Sequence, residues 1–531
     1  MAIHNSASRG QSFLIFSFFL LINIISSGGH FDWRDGVEAF VVTEGMVLKN
    51  SAKLHPDAPS MNQLYAESWL SKYDIFSQPF YPPRSLMLSA IAVPFYVAST
   101  ILSISPIISV GLFVNSMIIA LISLIIFLFS LEMYGSRTVS FVLCLIFSVA
   151  SFIWPYNTSF YPQPLQALLI IAAAYFIYKS LHLHPPFICN YSRPRYMSDN
   201  MHNGEREALI YLTIGGVLLG FSVFAHPSSV IVIPGFIGYI VLSAIRQSRK
   251  GLVCFLIPLT SVLCFMALVN YLRFGTFTEF GYYMHGTINV HAGWEGLIGL
   301  WVSPGFGAVF YFPMVILLPL ALKSLIYDKE HRRLSFLIIY IVIVNWLFVG
   351  TLSYDEPVSW SGAFAWGPRY MIPLLPFIVL SFGGMLARIR KGDLYLLKLS
   401  AIVLLCASGF AINLVGKLVW VSYVASYMWE KLLIQTLAPN YWNIVAWNPQ
   451  YSPILLHLKV LMDSNFVSQI QPKHYQGTDS HFVTYGLAPC QYDIYIYCKY
   501  GIVPIIVLAG AAFLLATLLL KVNRKVVYIY S

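Results

Sequence analysis

Apolar runs of membrane-spanning length recur along the whole chain, and the charged residues fall almost entirely in the segments between them. The runs cover residues 13–27, 86–104, 107–131, 139–154, 165–181, 208–225, 230–245, 252–272, 306–322, 334–352, 370–387, 396–415 and 502–520. A stretch of about 20 such residues crosses the hydrocarbon core of a bilayer as a helix, with every backbone polar group bonded inside its own segment. The chain's 531 residues are 58% hydrophobic and 10% charged, against about a quarter charged in soluble domains. A water-soluble fold of this size has too little interior to hide that much apolar surface. The expected fold class is therefore an all-α polytopic membrane protein.

The formal net charge of +10 raises the question of a nucleic-acid partner. No run of Lys and Arg with interleaved aromatics is present, so none is expected. The basic residues instead sort the loops into two sets, as the positive-inside bias requires. One set carries Lys179, Arg193, Arg195 and Arg206, then Arg246, Arg249 and Lys250, then Lys323, Lys329, Arg332 and Arg333, then Arg388, Arg390 and Lys391, and finally Lys521, Arg524 and Lys525. In the alternating set, 155–164 and 226–229 have no Lys or Arg, and Arg273 and Arg369 stand alone in theirs. With the basic set cytoplasmic, the others face outward across the plasma membrane.

The first run follows Arg9 and reads as a signal peptide or an uncleaved span; Ser26, Ser27 and Gly28 make a weak cleavage site, which favours the span. The orientation also forces a choice for 86–104. Pro94 and Pro106 interrupt it and the 103–106 hinge is short for a cytoplasmic turn, so it is expected to lie along the outer interface. The result is twelve crossings plus one interfacial helix. Outer elements then occupy 29–84, 273–305 and 416–501, dividing the chain into a membrane module (1–415), an extracytoplasmic region (416–501) and a last span with a basic tail (502–531). No internal repeat and no mid-depth ionisable residue marks a transporter path.

Cys144, Cys254, Cys264 and Cys406 lie in apolar runs and read as packing residues. Cys490 and Cys498 lie in a polar loop and can pair if it faces an oxidising compartment. No cysteine and histidine spacing fits a zinc site, so no cofactor is expected, while a divalent metal stays open.

Chemistry-bearing residues concentrate in the outer segments. Asp32, Asp35 and Glu38 follow the first span, and Asp35 and Glu38 share a face if the segment is helical. A carboxylate at headgroup level suits a general base for a hydroxyl acceptor; equally, Asp35 can cap a helix over 37–48. Arg84 follows Tyr81-Pro82-Pro83 and can grip a phosphate through two bonds or snorkel to any anionic lipid. The second outer segment brings Arg273, Glu279, Tyr282, Tyr283, His285, His291, Trp294 and Glu295, the mixture of rings and polar tips that a sugar site uses, and also the mixture of an interfacial aromatic belt. Trp366-Gly367-Pro368-Arg369-Tyr370 enters a later span, where Arg369 is placed either for a phosphate or for an ion pair with Asp355 or Glu356.

Taken together, the acids after the first span, the Tyr81 to Pro83 block ahead of Pro94-Phe95-Tyr96, Ser303-Pro304-Gly305 ahead of Pro313, and Trp366 to Tyr370 with Pro373 and Pro376 resemble the GT-C superfamily of lipid-carrier-dependent glycosyltransferases. The likeness is to prokaryotic relatives of the protein O-mannosyltransferase and aminoarabinose transferase group, over roughly the first three quarters of the chain. It implies a polyprenyl-phosphate sugar donor, a lipid, glycan or protein acceptor, and an acidic base in the first outer loop. Asp35 matches that position, with Glu38 in support or Asp32 in its place. Arg369, Arg273 and Arg84 are then the cations for the carrier phosphate, and His291, Glu295, Tyr283 and Trp366 the sugar or acceptor contacts. The chain departs from the pattern in having Arg84 where relatives often carry Gly, and Gly36 beside Asp35 rather than a second acid. A transporter or flippase of lipid-linked sugars is the alternative, and would place its site at mid-depth between related halves.

Overall fold

The computed structural model describes residues 8–31, 33–55, 59, 81–82, 85–183, 198–243, 249–280, 289–290, 294–353, 359–362, 365–388, 395–420, 424, 428, 441–463 and 493–527. Among these, helices dominate. In chain order they are α1 (Arg9–Ser26), α2 (Trp33–Leu48), α3 (Leu86–Ile101), α4 (Pro106–Tyr134), α5 (Arg137–Ala150), α6 (Pro162–Leu183), α7 (Ser198–Ala225), α8 (Ile233–Ser243), α9 (Arg249–Phe274), α10 (Trp294–Val302), α11 (Ala308–Tyr311), α12 (Leu318–Ile326), α13 (Arg332–Thr351), α14 (Leu375–Ala387), α15 (Tyr395–Leu418), α16 (Tyr441–Trp447), α17 (Pro453–Met462), α18 (Tyr495–Tyr500) and α19 (Ile502–Val527). The described strands are two-residue segments, β1 (Asn289–Val290) and β2 (Leu352–Ser353), paired antiparallel with Asn289 opposite Ser353.

Eight helical segments among the described residues are long and apolar enough to cross a membrane. A helix also lies under each remaining expected crossing, in shorter or broken form. The run at 306–322, for example, is α11, a 3₁₀ turn at Pro313–Leu317 and then α12. Pro313 has no N–H to continue the ladder of α11, and it restarts the chain as a 3₁₀ turn. Pro94 behaves differently from the expectation, since it sits inside a continuous α3 rather than interrupting it. The break falls later, at Leu102 to Ser105, where Ser103 takes a left-handed φ of 55° and Pro106 opens α4. Pro106 at the start of α4 and Gly135 at its end, with φ 64°, follow the usual asymmetry of helix ends.

The apolar side chains on the outer faces of α9 and α15, such as Ile257, Leu268, Leu397 and Leu404, are exposed. A bilayer covers such faces, because lipid tails are as apolar as the side chains themselves. The interior is closed by α6 packed against α7, α9 against α7, α1 against α4 and α2 against α3.

Polar side chains buried between α1, α4 and the 150–161 connection fix one end of the bundle. Asn157 Nδ2 donates to the Asn23 carbonyl at 2.8 Å and to Ser26 Oγ at 2.9 Å, and Trp154 Nε1 donates to the same hydroxyl at 3.0 Å. Asn115 Nδ2 donates to the Tyr156 carbonyl at 3.2 Å. In a dry interior an unpaired amide costs several kcal/mol by order of magnitude, so these bonds hold the connection in one arrangement. The C-terminal segment docks on the same end, with the Tyr495 amide donating to the Ser27 carbonyl at 3.0 Å and the Asp493 amide to the Leu418 carbonyl at 2.9 Å. Cys498 there is disulfide-bonded; Cys490 lies outside the described residues. Cys144, Cys254, Cys264 and Cys406 are free thiols.

Candidate active site

Four connections between helices meet at that end and enclose a cleft: the two ends of 29–84, which itself carries five Lys and Arg, and the segments ahead of α6, after α7 and ahead of α14. Its lining is Asp35 and Ala39 from α2, Ser85 and Leu88 at the start of α3, Phe160, Pro162 and Gln163 at the start of α6, Ala225 and His226 after α7, and Arg369 and Tyr370 ahead of α14. The space among them that admits a water-sized sphere is about 40 Å³, so the cleft is narrow as it stands.

Arg369 and Asp35 face each other across this space, with Nη1 3.4 Å from Oδ2. The ion pair joins residues 334 apart in sequence. Asp35 lies in the first turn of α2, which begins two residues earlier at Trp33, so it is not the capping residue of a helix over 37–48. A carboxylate in that first turn is also favoured by the positive end of the helix dipole.

Arg369 is held from several directions. Its guanidinium carbon lies 4.6 Å from the centre of the Tyr161 ring and 5.2 Å from that of Tyr370, and Nη2 donates to the Tyr370 hydroxyl at 3.3 Å. Gly362, with φ 84°, packs so closely that a Cβ there would lie 2.9 Å from Arg369 Cβ. The Arg369 side chain is only 10% exposed, yet its Nε is buried without a hydrogen-bond partner among the described residues. A buried guanidinium with a donor to spare is a site for an anion.

The remaining candidates distribute unevenly. Glu38 is buried in α2, and it is not among the described residues lining the cleft. Arg273 closes α9 and lines an adjoining pocket with Ser85, Phe224, Pro227 and Asn270, so Ser85 is the wall common to both spaces. There its Nη2 donates to the Pro82 carbonyl at 2.6 Å, and the guanidinium stacks 4.5 Å from the Phe274 ring. Trp366 is buried behind the cleft, where Nε1 donates to Asn413 Oδ1 at 2.9 Å and the ring packs edge-on against Tyr311 and His457. It is not among the described residues lining the cleft. Glu295 opens α10 and accepts from Trp447 Nε1 at 2.7 Å, at a separate groove. Asp32, Arg84, Tyr283, His291, Asp355 and Glu356 lie outside the described residues. Among the described residues, no three His, Cys, Asp or Glu side chains are grouped to hold a metal ion.

Tyr370, part of the Trp366 to Tyr370 motif, lines the cleft, and Tyr161, Gln163 and His226 line or frame it without having been singled out from the sequence. Gln163 is buried with Oε1 unpartnered among the described residues. His226 Nδ1 lies 2.7 Å from Ser228 Oγ, and Gln166 Nε2 donates to Ser228 and Ser229 at 3.0 and 2.9 Å, which sets the loop after α7 against α6. The available signal for Tyr161, Gln163 and His226 was positional: each lies beside a span in a loop free of Lys and Arg.

A second polar cluster joins the C-terminal segment to the residues that follow α1. His30 Nε2 is 2.6 Å from Asp493 Oδ1, and the buried Lys417 Nζ donates to Thr158 Oγ1. Burial raises the Asp493 carboxyl, but His30, Lys417 and His457 outweigh it and leave it below its ordinary value. Burial pushes the His457 imidazole down to about 4.

No protein-family profile matches this chain, and no curated protein matches it. Among solved structures it is similar to the crystal structure of ArnT from Cupriavidus metallidurans bound to undecaprenyl phosphate, at 12% sequence identity and a TM-score of 0.47, over 91% of this chain and 81% of that one.

Proposed function

We propose that the protein is an integral membrane glycosyltransferase that moves a sugar from a polyprenyl-phosphate carrier to a hydroxyl of a lipid, glycan or protein acceptor, in the cleft between Asp35 and Arg369. The observation that carries this reading is the juxtaposition itself: a carboxylate and a buried guanidinium 3.4 Å apart, at the end of a bundle where four connections between helices converge. The positive-inside bias favours the extracytoplasmic face of the plasma membrane for that end.

Asp35 takes the proton of the acceptor hydroxyl as its oxygen attacks the anomeric carbon. The bond from that carbon to the carrier phosphate oxygen breaks, and its electron pair leaves on the phosphate. Attack and departure lie on opposite faces, so the configuration inverts and one carboxylate suffices, unlike the pair that a glycosidase places about the bond. The departing charge goes to Arg369, whose Nε has no other acceptor among the described residues. Arg273, in the pocket that shares Ser85, is the second cation within the same wall. Tyr161 and Tyr370 keep the Arg369 plane fixed, so little reorganisation is needed when charge develops.

The test is transfer by the purified protein from polyprenyl-phosphate sugars to a hydroxyl acceptor, comparing wild type with Asp35→Asn. Wild type should release polyprenyl phosphate, and Asp35→Asn should lose on the order of 10²–10⁴ in turnover. Donor left covalently unchanged by wild type, but moved between leaflets of a vesicle, would instead support the flippase.

A further inference from the structure

The groove at Glu295 is built from a different set of elements and has a different chemical character from the cleft. It is lined by Glu295 of α10, Asn443, Ile444 and Trp447 of α16, and Asn448 and Pro449 at the turn that follows. It lies open to solvent with about 610 Å³ of room. Among the described residues its lining holds no cation to pair with an anionic headgroup or phosphate.

What it does hold is an aromatic ring, a carboxylate and two amides. Trp447 donates its indole N–H to Glu295 Oε1 at 2.7 Å, which fixes the ring against α10. Asn443 borders the groove, and its Oδ1 is buried with no hydrogen-bond partner among the described residues. Buried acceptors of this kind are normally satisfied by a ligand or by water. The backbone around them is tied down: Gly305 N donates to the Ala446 carbonyl at 3.1 Å, Ser303 Oγ donates to the same carbonyl at 2.6 Å, and Ser452 Oγ donates to the Pro304 carbonyl at 2.8 Å. The groove is therefore shaped before anything binds.

A sugar ring has an apolar face for the indole and a rim of hydroxyl donors for the carboxylate and the amide oxygen. From this lining we infer that the groove binds a carbohydrate chain of neutral or amino sugars, the acceptor of the transfer proposed above, on which reading the word acceptor rests. Uronate chains are excluded by the Glu295 charge, which repels a second carboxylate in the same space. The helix that carries Glu295 also packs on the turn next to Arg369. Gly296 and Gly299 of α10 lie against the Trp360 indole, close enough that a Cβ on Gly299 would be 2.4 Å from Trp360 Cη2, and two residues beyond Trp360 is Gly362, packed on Arg369.

The experiment measures binding apart from turnover. Purified protein in detergent is titrated with maltotetraose, chitotetraose and an oligogalacturonate, following tryptophan fluorescence and saturation-transfer NMR. The neutral or amino oligomer should saturate the protein and the uronate should not. Glu295→Gln and Asn443→Ala should each weaken binding about tenfold, and Asp35→Asn should not change it. Trp447→Phe, which keeps a ring but lacks the N–H, should fall between wild type and Trp447→Ala. Binding of none of the three oligomers, equal binding of the uronate, or variants that bind as wild type does would overturn the inference. If the neutral oligomer binds while wild type releases no polyprenyl phosphate, the groove stands and the transferase reading falls. If transfer proceeds to a non-carbohydrate hydroxyl with no oligomer bound, the reverse holds.

Discussion

Replacing Arg369 by glutamine removes the cation of the cleft and keeps a polar side chain of similar length. The Asp35 contact at 3.4 Å corresponds to about 5 kcal/mol of Coulomb attraction at an effective dielectric of ~20. Desolvation of the 10% exposed Arg369 and screening of the 24% exposed Asp35 leave a net value of roughly 1–2 kcal/mol. Stacking on Tyr161 and Tyr370 adds about 0.5–2 kcal/mol. Those terms hold the guanidinium in place. Its value to catalysis is larger, because a preorganised donor aimed at developing charge in a dry site contributes about 2.7–4 kcal/mol. Arg369→Gln should therefore lower polyprenyl-phosphate release at saturating donor on the order of 10²–10³-fold. Arg369→Lys restores the charge without the planar fork and should recover about tenfold of that loss. Because Asp35 and Arg369 act on one event, Asp35→Asn combined with Arg369→Gln should fall well short of the product of the single losses. A thermal melt in detergent checks that each variant is folded. Folded Arg369→Gln protein within about threefold of wild type would refute the role given to this residue, as would single losses that multiply.

The docked C-terminal segment should loosen in acid. His457 is buried with its imidazole pushed down to about 4 from an ordinary 6.5, so its contribution to stability is full above 6.5 and declines as pH falls toward 4. Asp493, held below its ordinary 3.8, contributes above that value and is lost on further acidification through its lower folded value. Hydrogen exchange at the Tyr495 amide, bonded to Ser27, should quicken over the first window, and His457→Gln should flatten it; an exchange rate free of any pH effect beyond the intrinsic one would contradict this. Trp366→Phe deletes the donor to the buried Asn413 Oδ1 and should cost about 1–3 kcal/mol of stability. Donor KM measured in the same protein should stay unchanged, because Trp366 is packed behind the cleft.

Much of the architecture was legible because a spanning helix is a local object. Composition over about 20 residues decides whether a segment lies in lipid, and no distant contact is needed to satisfy its backbone. The helices at the expected crossings follow from that. Where the expectation for α3 missed, the cause was equally local: Pro94 was read as a break, but neighbouring side chains and helices can tolerate a proline that a water-exposed helix would not. The loop charge bias also indicated which connections share an end of the bundle, and those connections do gather around one cleft.

Roles within the connecting loops were less legible, because there the deciding contacts are remote. Trp366 and Arg369 are three residues apart with similar promise in sequence. The fold buries the indole against Asn413 and turns the guanidinium into the cleft. Likewise Asp35 and Glu38 were indistinguishable by spacing, and the packing of α2 against α3 leaves the first at the cleft and the second buried.

By itself, then, the chain's apolar periodicity settled that it is helical, where its spans lie and which loops keep company, since each of these depends on free energies summed over neighbours in sequence. Which carboxylate meets which cation, and that Trp447 closes on Glu295 across 152 positions, came only from tertiary packing. The reason is physical: side-chain encounters between distant loops are fixed by how rigid helices stack, and a one-dimensional pattern carries no record of that stacking.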